Sequence, residues 1–208
     1  MKTPTIGIVD DDPGIVQSLG RLLTNRGFQV HGFHSAEEFL WNHREPALDC
    51  AVFDLEMPGL GGLELQEQLR KKGNLLPVVF LSGEGDIPST VRAMKGGAIN
   101  FLTKPVDAGE LLNSLRLALI QRNRERLEAH EHAEIRGRFE SLTPREQEVL
   151  RHVIAGRLNK QIAAELGISE QTVKIHRMHI TEKTGLPSVA ELVRAASDLH
   201  IEPAHSIN

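Results

Sequence analysis

Between residues 5 and 120 short apolar runs alternate with helically spaced apolar stripes. Residues 5–9, 28–31, 49–54, 76–81 and 99–102 read as short strands, three of them continuously apolar, the pattern of a parallel sheet covered on both faces. Residues 13–26, 36–43, 63–72, 87–95 and 107–120 space their aliphatics as amphipathic helices do. Ile15, Leu19, Leu22 and Leu23 mark the first stripe, and Leu111, Leu112, Leu115 and Leu119 the last. Repeated β/α units of this kind predict a doubly wound (βα)5 α/β domain with a parallel five-stranded sheet. In such sheets ligands bind beyond the carboxyl ends of the strands, so the residues that close each strand are the ones to inspect.

The pattern changes at residue 121. From there to Arg138 only Leu127 and Ile135 are large aliphatics among Arg, Glu, His and Asn, which reads as a polar helical linker over 121–140. Glu134 with Arg138, and Arg122 with Glu125, have the spacing that supports helix by a few tenths of a kcal/mol. Beyond it every segment looks helical, at 143–155, 159–166, 170–184 and 188–200. Gly156, Gly167 and Gly185 punctuate their ends as C-caps. Thr143 with Pro144 and Glu146 forms the sequence of a capping box, and Ser169 is a second N-cap. The short Gly167-Ile168-Ser169 break suits a helix-turn-helix. The expected organisation is therefore residues 1–120, a linker at 121–140, and a small all-α four-helix domain at 141–208.

Composition adds little except by exclusion. The chain has 208 residues, 40% hydrophobic and 25% charged, an ordinary soluble makeup. No stretch resembles a signal peptide or membrane span, so the expected location is cytoplasmic, with no membrane partner. One cysteine, Cys50, excludes an internal disulfide and a cysteine-rich zinc site, and reads as a small buried hydrophobe. The net charge is −4, with the acidic excess in the first 120 residues and most of the histidines in the second half. That asymmetry hints at a polyanionic partner for the C-terminal half.

The chemistry gathers at the strand ends. Asp10, Asp11 and Asp12 follow the first strand and Asp54 closes the third. Carboxylates crowded on one rim call for a hard cation such as Mg2+, which takes oxygen ligands and completes its shell with water or phosphate oxygens. Asp12, directly before Pro13, reads instead as a helix N-cap. Ser82 closes the fourth strand and Lys104 the fifth. A hydroxyl, an ammonium, carboxylates and a metal together suit phosphoryl transfer, with Asp54 as the acceptor.

Residues 4–120 resemble the receiver domain of bacterial two-component response regulators through Val9-Asp10-Asp11-Asp12, Asp54-Leu55-Glu56-Met57-Pro58-Gly59, Leu81-Ser82-Gly83 and Thr103-Lys104-Pro105. The resemblance implies Asp54 as the phosphoacceptor and Asp10, Asp11, Asp54 and the backbone carbonyl of Glu56 around Mg2+. It further implies Lys104 and Ser82 as contacts of the phosphoryl group, Phe101 as a switch aromatic, and a cis Lys104–Pro105 bond. Residues 141–199 resemble the LuxR-type helix-turn-helix domain through Leu142 to Leu150, Asn159-Lys160-Gln161-Ile162-Ala163 and Ser169 to His176. Receiver then DNA binder is the FixJ/NarL order. That resemblance implies base contacts from Lys174, Ile175 and Met178, and phosphate contacts from Lys160, Thr172, His176, Arg177 and Lys183. On 170–184, Val173, Ile180 and Thr184 fall on the face available to a core. The implied partners are a sensor histidine kinase, promoter DNA, RNA polymerase and a second copy of the chain once phosphorylated. Similarity in overall pattern to regulators of aromatic catabolism implies transcriptional activation of such an operon.

Three other readings compete. A phosphatase with Asp54 as covalent nucleophile would use Glu56 as its acid, but Pro58-Gly59 and the fused helices argue against an enzyme. A ligand-sensing LuxR regulator needs an apolar N-terminal pocket, where this rim is acidic. A receiver that works unphosphorylated would not need the intact set Asp10, Asp11, Asp54 and Lys104.

Overall fold

The computed structural model describes residues 3–42, 47–83 and 87–204; position 43 of the second expected helix and residues 205–208 of the expected C-terminal domain lie outside them. The chain divides into two compact units, Met1–Arg126 and Leu127–Asn208.

In the first unit β1 (Thr5–Val9), β2 (Gln29–Phe33), β3 (Cys50–Asp54), β4 (Val78–Ser82) and β5 (Asn100–Thr103) alternate with α1 (Pro13–Thr24), α2 (Ala36–Asn42), α3 (Gly62–Lys71), α4 (Ile87–Lys95) and the start of α5 (Ala108–Glu140). The strands are all parallel in the order β2-β1-β3-β4-β5. Every residue of β1, β3 and β4 is buried, as their unbroken apolar runs require. Successive side chains of a strand point to opposite faces, and the core splits accordingly. Phe39, Phe53, Leu65 and Phe80 fill one side of the sheet. Ile6, Ile8, Val52, Leu111 and Leu115 fill the other. Each such side chain gains about 1.5–3 kcal/mol by leaving water.

Strand boundaries differ from the apolar pattern by one residue at several ends and by two at two ends, the end of β2 and the start of β4, both for backbone reasons. β2 runs on through Gly32 to Phe33 because it follows β1 in register, with Thr5 opposite Gln29 and Val9 opposite Phe33. β4 starts only after Pro77, which has no N–H to give the ladder, although its carbonyl accepts from Ala51 N–H at 2.9 Å.

The helix α5 continues through the polar stretch to Glu140. Its first turns give Leu111, Leu112 and Leu115 to the N-terminal core, and its last turns bring Phe139 and Ile135 to the C-terminal one. Asp49 holds the middle of α5 to the sheet. Its Oδ1 is 2.6 Å from Arg126 Nη1, and its Oδ2 accepts from the backbone N–H of Thr5 at 2.8 Å.

The second unit adds α6 (Pro144–Ile154), α7 (Asn159–Leu166), α8 (Glu170–Thr184) and α9 (Val189–Asp198). Thr143 and Glu146 form a complete capping box on α6, and Ser169 caps α8 by accepting from Thr172 N–H at 3.0 Å. Gly167 ends α7 in the left-handed region at φ 65°, which turns the chain into α8. Val149, Leu150, Ile162, Val173, Ile180 and Leu192 form the core. On α9 the apolar residues are divided, with Leu192 and Ala196 buried and Val189 and Val193 exposed.

Candidate functional site

Hydrogen bonding carries each ladder one residue past its strand and so fixes the direction in which the chain leaves the sheet. Asp10 N–H donates to Phe33 O at 3.2 Å, Leu55 N–H to Leu81 O at 2.8 Å, and Lys104 N–H to Ser82 O at 2.7 Å. Asp10, Asp54, Ser82 and Lys104 are thereby set side by side along the carboxyl edge of β1, β3, β4 and β5, where a doubly wound sheet presents its ligand site. The helix α3 comes so close behind Asp54 that a Cβ on Gly62 would stand 2.2 Å from Asp54 O. Only glycine fits there.

The Lys104 Nζ bridges two carboxylates, 2.7 Å from Asp10 Oδ2 and 2.8 Å from Asp54 Oδ1. Asp10, Asp54 and Ser82 are buried, whereas Asp11 and Glu56 are exposed. Carboxylate oxygens of Asp10, Asp11 and Asp54 lie within 4.8 Å of one another. Burial pushes the Asp54 carboxyl above the usual range, with Asp10 and Asp11 adding to the push and the Lys104 hydrogen bond opposing it. For Lys104, burial favours the neutral amine, but hydrogen bonds to Asp10 and Asp54 outweigh it and hold the ammonium above its ordinary value. Asp12 serves as the N-cap of α1, accepting from Gly14 N–H at 2.7 Å, while its own N–H donates to Asp10 Oδ1 at 2.9 Å. The Lys104–Pro105 bond is cis. Half-buried Phe101 ends a chain of ring contacts that runs from Phe33 through Phe39, Phe53 and Phe80, each pair 5.1–6.4 Å between centroids. Sequence periodicity could not show that chain, because its members come from four strands and a helix.

In the C-terminal unit α8 buries Val173, Ile180 and Thr184 and presents Lys174, Ile175 and Met178 to solvent. Ile175 and Met178 are 42% and 50% exposed, an unusual allotment for large apolar groups on a helix otherwise rich in polar residues. Lys160 is exposed on α7, and Thr172, His176 and Arg177 are half-buried. Lys183, expected at a phosphate, is exposed on α8 with its Nζ 2.7 Å from Glu146 Oε2, on a carboxylate that is 4% exposed, so its ammonium is already engaged by an ion pair of the unit. The 37-residue separation hides this pair from any local pattern.

Comparison with known proteins agrees with this geometry. Residues 6–116 match the response regulator receiver domain, and residues 140–196 match the luxR family of bacterial regulatory proteins. The chain belongs to the two-component response regulators that join a receiver to a LuxR-type DNA-binding domain. It is 42% identical over 198 residues to the response regulator protein TodT of Pseudomonas putida, covering 95% of this chain and 87% of TodT. With nodulation protein W of Bradyrhizobium diazoefficiens it shares 43% over 200 residues, 96% of this chain and 88% of the relative. Among solved structures, the response regulator StyR superposes with a TM-score of 0.81 at 44% identity, over 95% of this chain and all of StyR. Full-length FixJ from B. japonicum gives 0.57 at 35% identity, over 97% and 99% of the two chains. No described helix is long and apolar enough to cross a membrane.

Proposed function

We propose that Asp54 accepts a phosphoryl group from a sensor histidine kinase, and that the modified protein dimerises, binds promoter DNA and activates transcription with RNA polymerase. The observation that carries this reading is the Lys104 ammonium bridging Asp10 and Asp54 at the ends of adjacent strands. An oxygen of the Asp54 carboxylate attacks phosphorus, the P–N bond to the kinase histidine breaks, and the imidazole leaves. Lys104 is in place to leave its ion pair for the new phosphoryl oxygens, and Ser82 lies on the neighbouring strand end to meet them with its hydroxyl. Phe101, on the next strand, is the side chain that would register the change. The donor set suits Mg2+, since Asp10, Asp11 and Asp54 offer only hard oxygen ligands and Asp11 is exposed to solvent. Asp10, Asp11, Asp54 and the backbone carbonyl of Glu56 would hold the ion, which when bound neutralises charge on the transferring group.

The acceptor aspartyl phosphate brings roughly two negative charges. Exposed Ile87, Val91 and Met94 on α4, beside the strand that carries Phe101, offer the apolar surface on which a homodimer could form. On DNA, Lys174, Ile175 and Met178 would read base edges, an apolar side chain suiting the thymine methyl. Lys160, Thr172, His176 and Arg177 would hold phosphates, which position without specifying. We take 1–120 as receiver, 121–140 as linker and 141–208 as the DNA-binding part, and the cytoplasm as the place of action, with an aromatic catabolic operon as the first target to assay. Incubation with acetyl phosphate, with and without EDTA, tests the chemistry. Metal-dependent labelling that disappears in Asp54→Asn is expected, and labelling that persists in that variant would refute the assignment.

A further inference from the structure

A second group of ligand-bearing side chains lies in the C-terminal unit. The carboxylate of Glu146 on α6 and one ring nitrogen each from His176 and His179 on α8 fall within 4.8 Å of one another. His176 and His179 are three residues apart, so both rings rise from the same side of α8. Glu146 is delivered by its capping box, in which its Oε2 accepts from Thr143 N–H at 2.8 Å.

The two carboxylate oxygens of Glu146 face different neighbours. Oε2 also meets Lys183 Nζ, whereas Oε1 faces His179 Nδ1 at 3.5 Å. A tetrahedral ion with bonds of about 2.05 Å sets its ligands roughly 3.4 Å apart, so this edge already has the right length. A plain ionic clamp would account for Glu146, Lys183 and His179. It leaves His176 unexplained, because His176 Nδ1 is buried and has no hydrogen-bond partner. An orphaned buried ring nitrogen is costly, and its lone pair serves a metal as readily as a proton donor.

We propose that Glu146, His176 and His179 form a three-ligand site for a borderline transition-metal ion, Zn2+ by preference, with a fourth position open to water. Two imidazoles and one carboxylate select such an ion over Mg2+, which separates this site from the acidic cluster of the receiver. The bound ion would tie α6 to α8 and stiffen the helix that carries Lys174. The site does not depend on phosphorylation of Asp54, and its test reads neither phosphorylation nor DNA binding.

The full-length chain, held in excess Mg2+ to occupy the receiver cluster, is titrated with Co2+ and separately with Zn2+. One Co2+ per chain with the visible absorption of a four-coordinate ion is expected, together with Zn2+-dependent shifts of the His176 and His179 ring resonances. Affinity should fall by more than about tenfold in His179→Gln and in His176→Gln, and should hold in His130→Gln, which removes the exposed His130–Glu134 pair on α5. Circular dichroism establishes that each variant is folded. If a variant unfolds, the ring shifts of the unaltered chain decide. Binding displaced by Mg2+, ring shifts confined to other histidines, or loss of binding in His130→Gln alone would each overturn the proposal.

Discussion

Lys174 and Lys183 stand on one helix with one charge, yet their surroundings give them different work. Lys174 is exposed and free to reach a base edge, so Lys174→Ala should cost about 1–3 kcal/mol on the specific site and relax base choice there. Equal losses on specific and random duplexes would show that it touches only phosphate. Lys183 is hydrogen-bonded to buried Glu146. Removing it leaves a carboxylate short of a partner, so Lys183→Ala should lower the stability of the C-terminal unit by roughly 1–3 kcal/mol. Urea unfolding measures that loss. An unchanged midpoint, with the salt slope of DNA binding flattened by about one, would return Lys183 to the phosphate contacts.

At the scale of elements, Gly167 in the turn between α7 and α8 is required by its backbone conformation rather than by a close approach of neighbours. Gly167 has φ 65°, and a Cβ there would meet nothing within 4 Å. Gly167→Ala should therefore destabilise by about 1–2 kcal/mol through left-handed strain alone. Gly167→Asn should cost less, because asparagine tolerates that region. Equal midpoints for Ala and Gly at this position would contradict that account. The same elements show what a sequence discloses. Asp10, Asp54, Ser82 and Lys104 are legible because buried parallel strands advertise themselves as apolar runs, and the residue ending each run falls on one rim. Val173, Ile180 and Thr184 are legible from helical spacing. The role of Asp49 is not, since its partners Thr5 and Arg126 are distant in sequence. Nor is the company of Glu146: capping explains it fully at the local level and conceals Lys183, His176 and His179. The helical course of the linker through Gly137 to Glu140 is legible from its polar, helix-spaced residues, since a Cβ at Gly137 would meet nothing and no contact there interrupts the helix.

At the scale of the whole molecule, each unit has a core of its own, so receiver and DNA-binding part should unfold as separate cooperative events. Phosphorylation should then act by changing association. The unmodified protein is expected to sediment mainly as a monomer and to bind DNA weakly, and the phosphorylated form to dimerise and bind more tightly. An unchanged monomer–dimer constant over a concentration range would refute dimerisation as the switch. The lone thiol makes the two units distinguishable without any label. Cys50 is fully buried in the middle of the sheet, and burial pushes it far above the usual thiol range, so it is inert while the sheet is closed. The other unit has no cysteine. In graded urea, the rate at which a disulfide reagent consumes Cys50 thus becomes a clock for opening of the receiver alone. A ligand that stabilises only the DNA-binding half will leave that clock running at its old speed, whereas phosphorylation at Asp54 should change it.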